Sequence, residues 1–193
     1  MPFTDISDEE KAVLLDIARQ SISHGLQYSH ALPIQTENYS PLLQLQGASF
    51  VTLYINQQLR GCIGTLEAYQ PLVNDVSEHA YAAAFKDPRF AAVNASELPL
   101  LEIHISILTP ARPMQFSSEA DLIRQLKPGI DGLILEDEHH RGTFLPSVWE
   151  ALPEARDFLS HLKMKAGMNR NDWHPGIRVS RYKTVLIEPD KSS

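Results

Sequence analysis

The chain's single thiol stands in an unusual setting. Cys62 lies in the run LRGCIGT, residues 59–65, two positions after Arg60, with Gly61 and Gly64 on either side and Thr65 at the end. A guanidinium is a planar donor fork suited to a carboxylate or phosphate, and a nearby positive charge favours thiolate over thiol. Glycine inside a strand marks a bulge, or a place where a ligand or another backbone comes close. On an undistorted strand Arg60, Cys62 and Gly64 share one face, and Gly61, Ile63 and Thr65 share the other. Two readings follow: an anion-receptive site with a reactive thiol, or a small buried hydrophobe inside a tightly packed strand.

Other residues carry weaker chemical signals. In FKDPRF, residues 85–90, Arg89 follows a helix-ending Asp-Pro. It is an anion clamp on a rigid turn, or it pairs with Asp87 or caps the helix. Glu102 and His104 stand two apart on one strand face and fit an acid/base or metal-ligand pair, or a solvated or cross-strand polar face, equally well. His139 and His140 are adjacent, so an extended backbone points them apart, and their acidic neighbours suit a hairpin tip. The chain lacks CxxC, HExxH, GxSxG, GxGxxG and P-loop patterns, so neither a structural zinc nor a nucleotide cofactor is expected.

The elements that must position these residues are readable from periodicity. Ser7 and Glu10 form a capping-box signature ahead of a helix expected to stop at Gly25. Residues 27–48, with prolines at 33 and 41, read as a long loop or short turns. SFVTLYINQQLRGCIGTL reads as two strands joined by a tight turn at Asn56, Gln57 and Gln58. PLVNDVSEHAYAAAFKDPRF reads as helical, with Pro71 in the first turn, a narrow small-residue face and an end at Asp87-Pro88. LLEIHISILT alternates, with Leu101, Ile103, Ile105 and Ile107 on one side. A short capped helix over SSEADLIRQL, a second hairpin over DGLILEDEHHRGTFLPSVW, a helix closed by Gly167 and one final strand over IRVSRYKTVLIE complete the chain. Helices and hairpins alternate without βαβ repetition, which indicates α+β with a mostly antiparallel sheet and flanking helices.

Composition narrows the partners. The 193 residues carry a net charge of −7, which disfavours phosphate-backbone binding, and no RNP-like aromatic pattern appears. One cysteine allows no intrachain disulfide and suits a reducing compartment. No apolar run matches a signal peptide or a membrane span, so the cytoplasm is the expected location.

Taken together, LRGCIGT, AAAFKDPRF, LEIHISILTPARP, GIDGLILE, TFLPSVWE and FLSHLKMKAG resemble the AMMECR family in that family's order, over roughly residues 45–188. Prokaryotic members of that family are called protein A of the AmmeMemoRadiSam set. The resemblance implies one AMMECR-type domain over residues 1–193, an α+β fold with a larger and a smaller subdomain, and a cleft between them. It implies partners: a Memo-like protein, similar to non-haem-iron extradiol dioxygenases, and a radical-SAM protein in a shared modification pathway. It supplies no reaction. Carried over position by position, it marks Arg60, Gly61, Cys62, Gly64, Thr65, Arg89 and Glu102, with Lys165 as a further polar candidate or a cation at a helix end. Ser147 and His104 depart from the family's usual glutamine and acidic residue. An enzyme using Cys62 as nucleophile would need a base, and His79, His104 and Glu102 are the candidates.

Overall fold

The computed structural model describes residues 2–190. The chain divides into two compact units. The first runs to Leu108 and resumes at Val185; the second is Thr109–Thr184.

The first unit opens with α1 (Asp8–Tyr28), started by the expected capping box between Ser7 and Glu10. Gly25 does not stop this helix. A Cβ there would lie 2.5 Å from the Phe85 ring and 2.6 Å from the Tyr81 ring, so the glycine lets another helix approach. Ser29, left-handed at φ 61°, supplies the stop instead. Strands β1 (Ala48–Ile55) and β2 (Gln58–Gly64) form the expected hairpin. Its turn places Asn56 and Gln57 at φ 50° and 64°, the geometry that matches strand twist. Helix α2 (Leu72–Phe85) follows, with Pro71 at its N-cap rather than in its first turn. Then comes β3 (Glu102–Leu108), antiparallel to β1. With β8 (Thr184–Ile187) the sheet order is β2-β1-β3-β8. Val51, Leu53, Ile103, Ile105 and Ile107 are buried with Leu14, Ile22, Leu72, Val76 and Ala80 from the two helices. The period of two therefore leaves Thr52, Tyr54, Cys62, Glu102 and His104 on the opposite face.

The second unit carries the sheet order β4-β7-β5-β6, antiparallel throughout: β4 (Arg112–Pro113), β5 (Gly132–Glu136), β6 (Arg141–Phe144) and β7 (Arg178–Tyr182). Helices α3 (Glu119–Gln125) and α4 (Ala155–Lys165) accompany it. Its core centres on Phe158, stacked on Trp149 at 3.8 Å, with Leu133, Leu135 and Leu162. The hairpin expected over DGLILEDEHHRGTFLPSVW ends at Phe144, because Pro146 opens a short 3-10 helix (Pro146–Glu150). The single final strand expected over IRVSRYKTVLIE is two strands. The chain breaks at Lys183, and β7 and β8 join different sheets.

Candidate functional site

The thiol's strand lies at a sheet edge, and the edge explains much of its chemistry. Cys62 is half-buried and pairs across the ladder with Thr52 on β1, which pairs in turn with His104 on β3. The Thr52 Oγ1 lies 3.2 Å from the Cys62 Sγ. On the open side of β2 the Cys62 amide has no strand to bond. It donates instead to the Asp87 carboxylate at 2.9 Å.

Asp87 is the hinge of the cluster. Its side chain is 2% exposed, and it also accepts from the Arg89 amide at 3.1 Å and from Arg89 Nε and Nη2 at 3.0 and 2.8 Å. These bonds, led by the Arg89 guanidinium, hold its carboxyl well below the usual carboxylate range against the opposing effect of burial. Arg89 remains 55% exposed. Its own pKa is raised, chiefly by the bonds to Asp87, and a charged Cys62 adds to the effect. The alternative of Arg89 pairing with Asp87 is thus the one realised, and the pair is tied to β2 through the Cys62 amide.

Arg60 does not present an open fork. The ladder slips between Leu53 and Tyr54: Leu53 faces Gly61 and Tyr54 faces Leu59, so Arg60 is the extra residue of a bulge. The strand is therefore distorted where an undistorted one was expected. Arg60 Nε and Nη2 grip Glu97 at 2.9 and 3.1 Å, while Nη1 is buried without a hydrogen-bond partner. Those bonds lower the Glu97 pKa, with the Asn94 amide assisting.

The two glycines answer to packing. A Cβ on Gly61 would meet the Ala83 carbonyl oxygen of α2 at 2.1 Å, so helix and strand touch there through backbone. A Cβ on Gly64 would meet the Phe50 ring and the Ser49 carbonyl, both at 2.4 Å. Thr65 closes the strand: its amide donates to Ser49 O, and its hydroxyl accepts from the Glu67 amide at 3.3 Å.

Glu102 and His104 do form a pair, with Nε2 of the imidazole 2.6 Å from Glu102 Oε1 and Nδ1 3.7 Å from Glu188. Tyr54 lies against the ring at 4.9 Å. His104 is two strands from Cys62, about 10 Å at the usual strand spacing, so it is not the thiol's direct base. His79 is committed elsewhere. It bonds to buried Asp75, whose same oxygen accepts from the Ser49 amide and hydroxyl. Lys165 belongs to the second unit, where it donates to Thr143 O at 2.8 Å and lies over the Phe144 ring. Among the described residues no group of three His, Cys, Asp or Glu side chains is placed to hold a metal ion.

Sequence reasoning passed over Thr52 and Glu97. Thr52 had a signal, since it is the polar member of FVTLYI that must sit across from the motif strand. Glu97 had none, because its loop reaches Arg60 only through the fold.

The sheets and helices define an α+β protein carrying a thiol, hydroxyl and guanidinium cluster at one sheet edge. The chain belongs to the AMMECR1 family, whose family model matches residues 15–187. A protein of Methanothermobacter thermautotrophicus is 35% identical over 98% of this chain and 100% of its own length. Protein MJ0810 of Methanocaldococcus jannaschii is 32% identical over 93% of this chain and 90% of its own. The crystal structure of uncharacterized protein PH0010 from Pyrococcus horikoshii superposes with a TM-score of 0.86 at 30% identity, covering 94% of this chain and 92% of that one. No helix among the described residues is long and apolar enough to cross a membrane.

Proposed function

We propose that the β2 edge of the first unit is a thiol-dependent site for a small anionic or electrophilic substrate, with Cys62 as nucleophile and Arg89 as the anion-facing cation. The observation that carries this reading is the exposed Arg89 guanidinium, held by the same Asp87 carboxylate that accepts from the Cys62 amide. In the reaction, the Cys62 thiolate forms a bond to the electrophilic atom. The bond to the leaving group breaks, and the electron pair departs with that group. Both forks are held by carboxylates, Arg60 by Glu97 and Arg89 by Asp87; the anion-facing role goes to Arg89 as an exposed charge, because its side chain is 55% exposed and that of Arg60 is 16%.

The test is the pH profile of alkylation by iodoacetamide. Wild-type protein should react with an apparent pKa below the ordinary thiol value near 8.5. Arg89→Met should move that profile up by about one unit, the effect of removing one nearby opposite charge, and Cys62→Ser should abolish labelling. A wild-type profile matching an ordinary or sealed thiol would end this reading.

A second reading is favoured by the packing of the motif. Both glycines accommodate protein atoms and Arg60 holds Glu97, so LRGCIGT can serve as scaffold for a ligand-presenting or partner-docking surface. Cys62→Ala would then leave binding intact while Arg60→Ala impairs it. For either reading we propose the cytoplasm and a modification pathway shared with a Memo-like protein and a radical-SAM protein. The support for that setting is the sequence resemblance and the single cysteine.

A further inference from the structure

An activated thiol needs something to accept its proton or to stabilise its anion, and the imidazoles do not stand in position. His79 is bound to Asp75, and His104 is turned to Glu102 from two strands away. One side-chain group against Sγ is the Thr52 hydroxyl at 3.2 Å. The contact is built into the ladder. Thr52 and Cys62 are directly opposed in register, so their side chains rise side by side from one face. Thr52 is also β-branched, which restricts its χ1 and so fixes where the oxygen sits.

A hydroxyl serves a thiol and a thiolate differently. Against the neutral thiol it can accept from S–H. Against the anion it must donate, and a hydrogen bond to the charged form favours that form. Arg89 is held at this edge by Asp87, whose carboxylate also accepts from the Cys62 amide; that carboxylate is a negative charge facing the thiol and opposes its ionisation, and the hydroxyl and the guanidinium act against it. Between them, hydroxyl and guanidinium supply what a histidine supplies in many thiol enzymes, with no proton held on an imidazole.

We propose that Thr52 is a positioning residue for the Cys62 thiolate: its hydroxyl donates to Sγ and, with Arg89, keeps the thiol ionised before substrate arrives, so that no histidine acts as the thiol's base. This rests on the thiol-dependent reading above and names how that site is regulated by its own strand partner. On ionisation the S–H proton passes to solvent, and the Thr52 O–H turns from acceptor to donor. In the test reaction Sγ bonds to the iodoacetamide methylene, and iodide leaves with the electron pair.

The experiment follows iodoacetamide labelling against pH in wild type, Thr52→Val, Thr52→Ser and His104→Gln, with the ultraviolet thiolate band titrated in parallel on the same proteins. Thr52→Val conserves shape and removes only the hydroxyl. It should move both profiles up by about half a unit to one unit, the worth of one hydrogen bond to the charged form. Labelling at pH well below the wild-type pKa should fall about three- to tenfold and recover at high pH. Thr52→Ser should restore the wild-type profile, and His104→Gln should leave it in place. A lowered wild-type pKa that Thr52→Val does not move would overturn the role of Thr52 while leaving the thiol-dependent site standing. A shift in His104→Gln as large as that in Thr52→Val would overturn the claim that no histidine is involved. An ordinary wild-type profile removes both proposals together. The thiolate band reads ionisation without alkylation, so altered access of the reagent in a variant cannot imitate the result.

Discussion

At the scale of single residues, Asp87 is the most consequential side chain that carries no reaction itself. It joins the edge of β2, through the Cys62 amide, to the turn that bears Arg89. Because these bonds depress its pKa, the folded state binds its proton less readily than the unfolded chain does. Its contribution is therefore complete above the ordinary carboxylate pKa near 4, and is lost as pH falls below that value toward the depressed one. Asp87→Asn should be less stable than wild type by about 2 kcal/mol at pH 7, the worth of hydrogen bonds to a charged group. Urea unfolding at a series of pH values should show this gap unchanged to about pH 5 and narrowing as the pH falls through the ordinary carboxylate range. Much at this scale was legible: the pairings of Arg89 with Asp87 and of Glu102 with His104 were among the sequence readings, because partners two residues apart are constrained by local backbone. The Arg60–Glu97 pair was not, since the partners are 37 positions apart and meet only when the loop after α2 folds back.

At the scale of elements, β2 shows why a motif rich in glycine need not face a ligand. Periodicity located both strands of the hairpin and its turn, because alternation and turn chemistry are local signals. It could not say what the glycines face. Gly61 receives the Ala83 carbonyl of α2, and a backbone oxygen has no rotamer by which to move aside. Gly61→Ala should therefore cost about 2–3 kcal/mol in urea unfolding, at the upper end for an overpacked site. Retention of wild-type stability would show that α2 can retreat from the strand. The bulge at Arg60 was equally hidden, since it arises from the pairing of two strands and neither strand alone encodes it.

At the scale of the whole molecule, the chain passes from one unit to the other at Leu108/Thr109 and returns at Thr184/Val185. Just inside the second unit these passages are tied together. The Thr109 amide donates to Lys183 O at 2.8 Å, and the Lys183 amide donates to Thr109 Oγ1 at 2.8 Å. This reciprocal pair sits where the expected final strand breaks into β7 and β8. Thr109→Val removes the acceptor for the Lys183 amide and should lower stability by about 1 kcal/mol. Faster exchange of the Lys183 amide, read by hydrogen–deuterium exchange, should accompany that loss, and an unchanged rate would show that the amide finds another acceptor.

The sequence by itself determined the α+β class, the order of helices and hairpins, the capping box at Ser7 and the location of the thiol. Each follows from spacing within one element or from a motif a few residues long. Only the tertiary structure decided which carboxylate-bound guanidinium is covered and which stays exposed, what the glycines make room for, and that the hydroxyl opposite Cys62 belongs to Thr52. Those are contacts between segments distant in the chain, and their geometry comes from strand register and helix packing, which no single stretch of sequence contains.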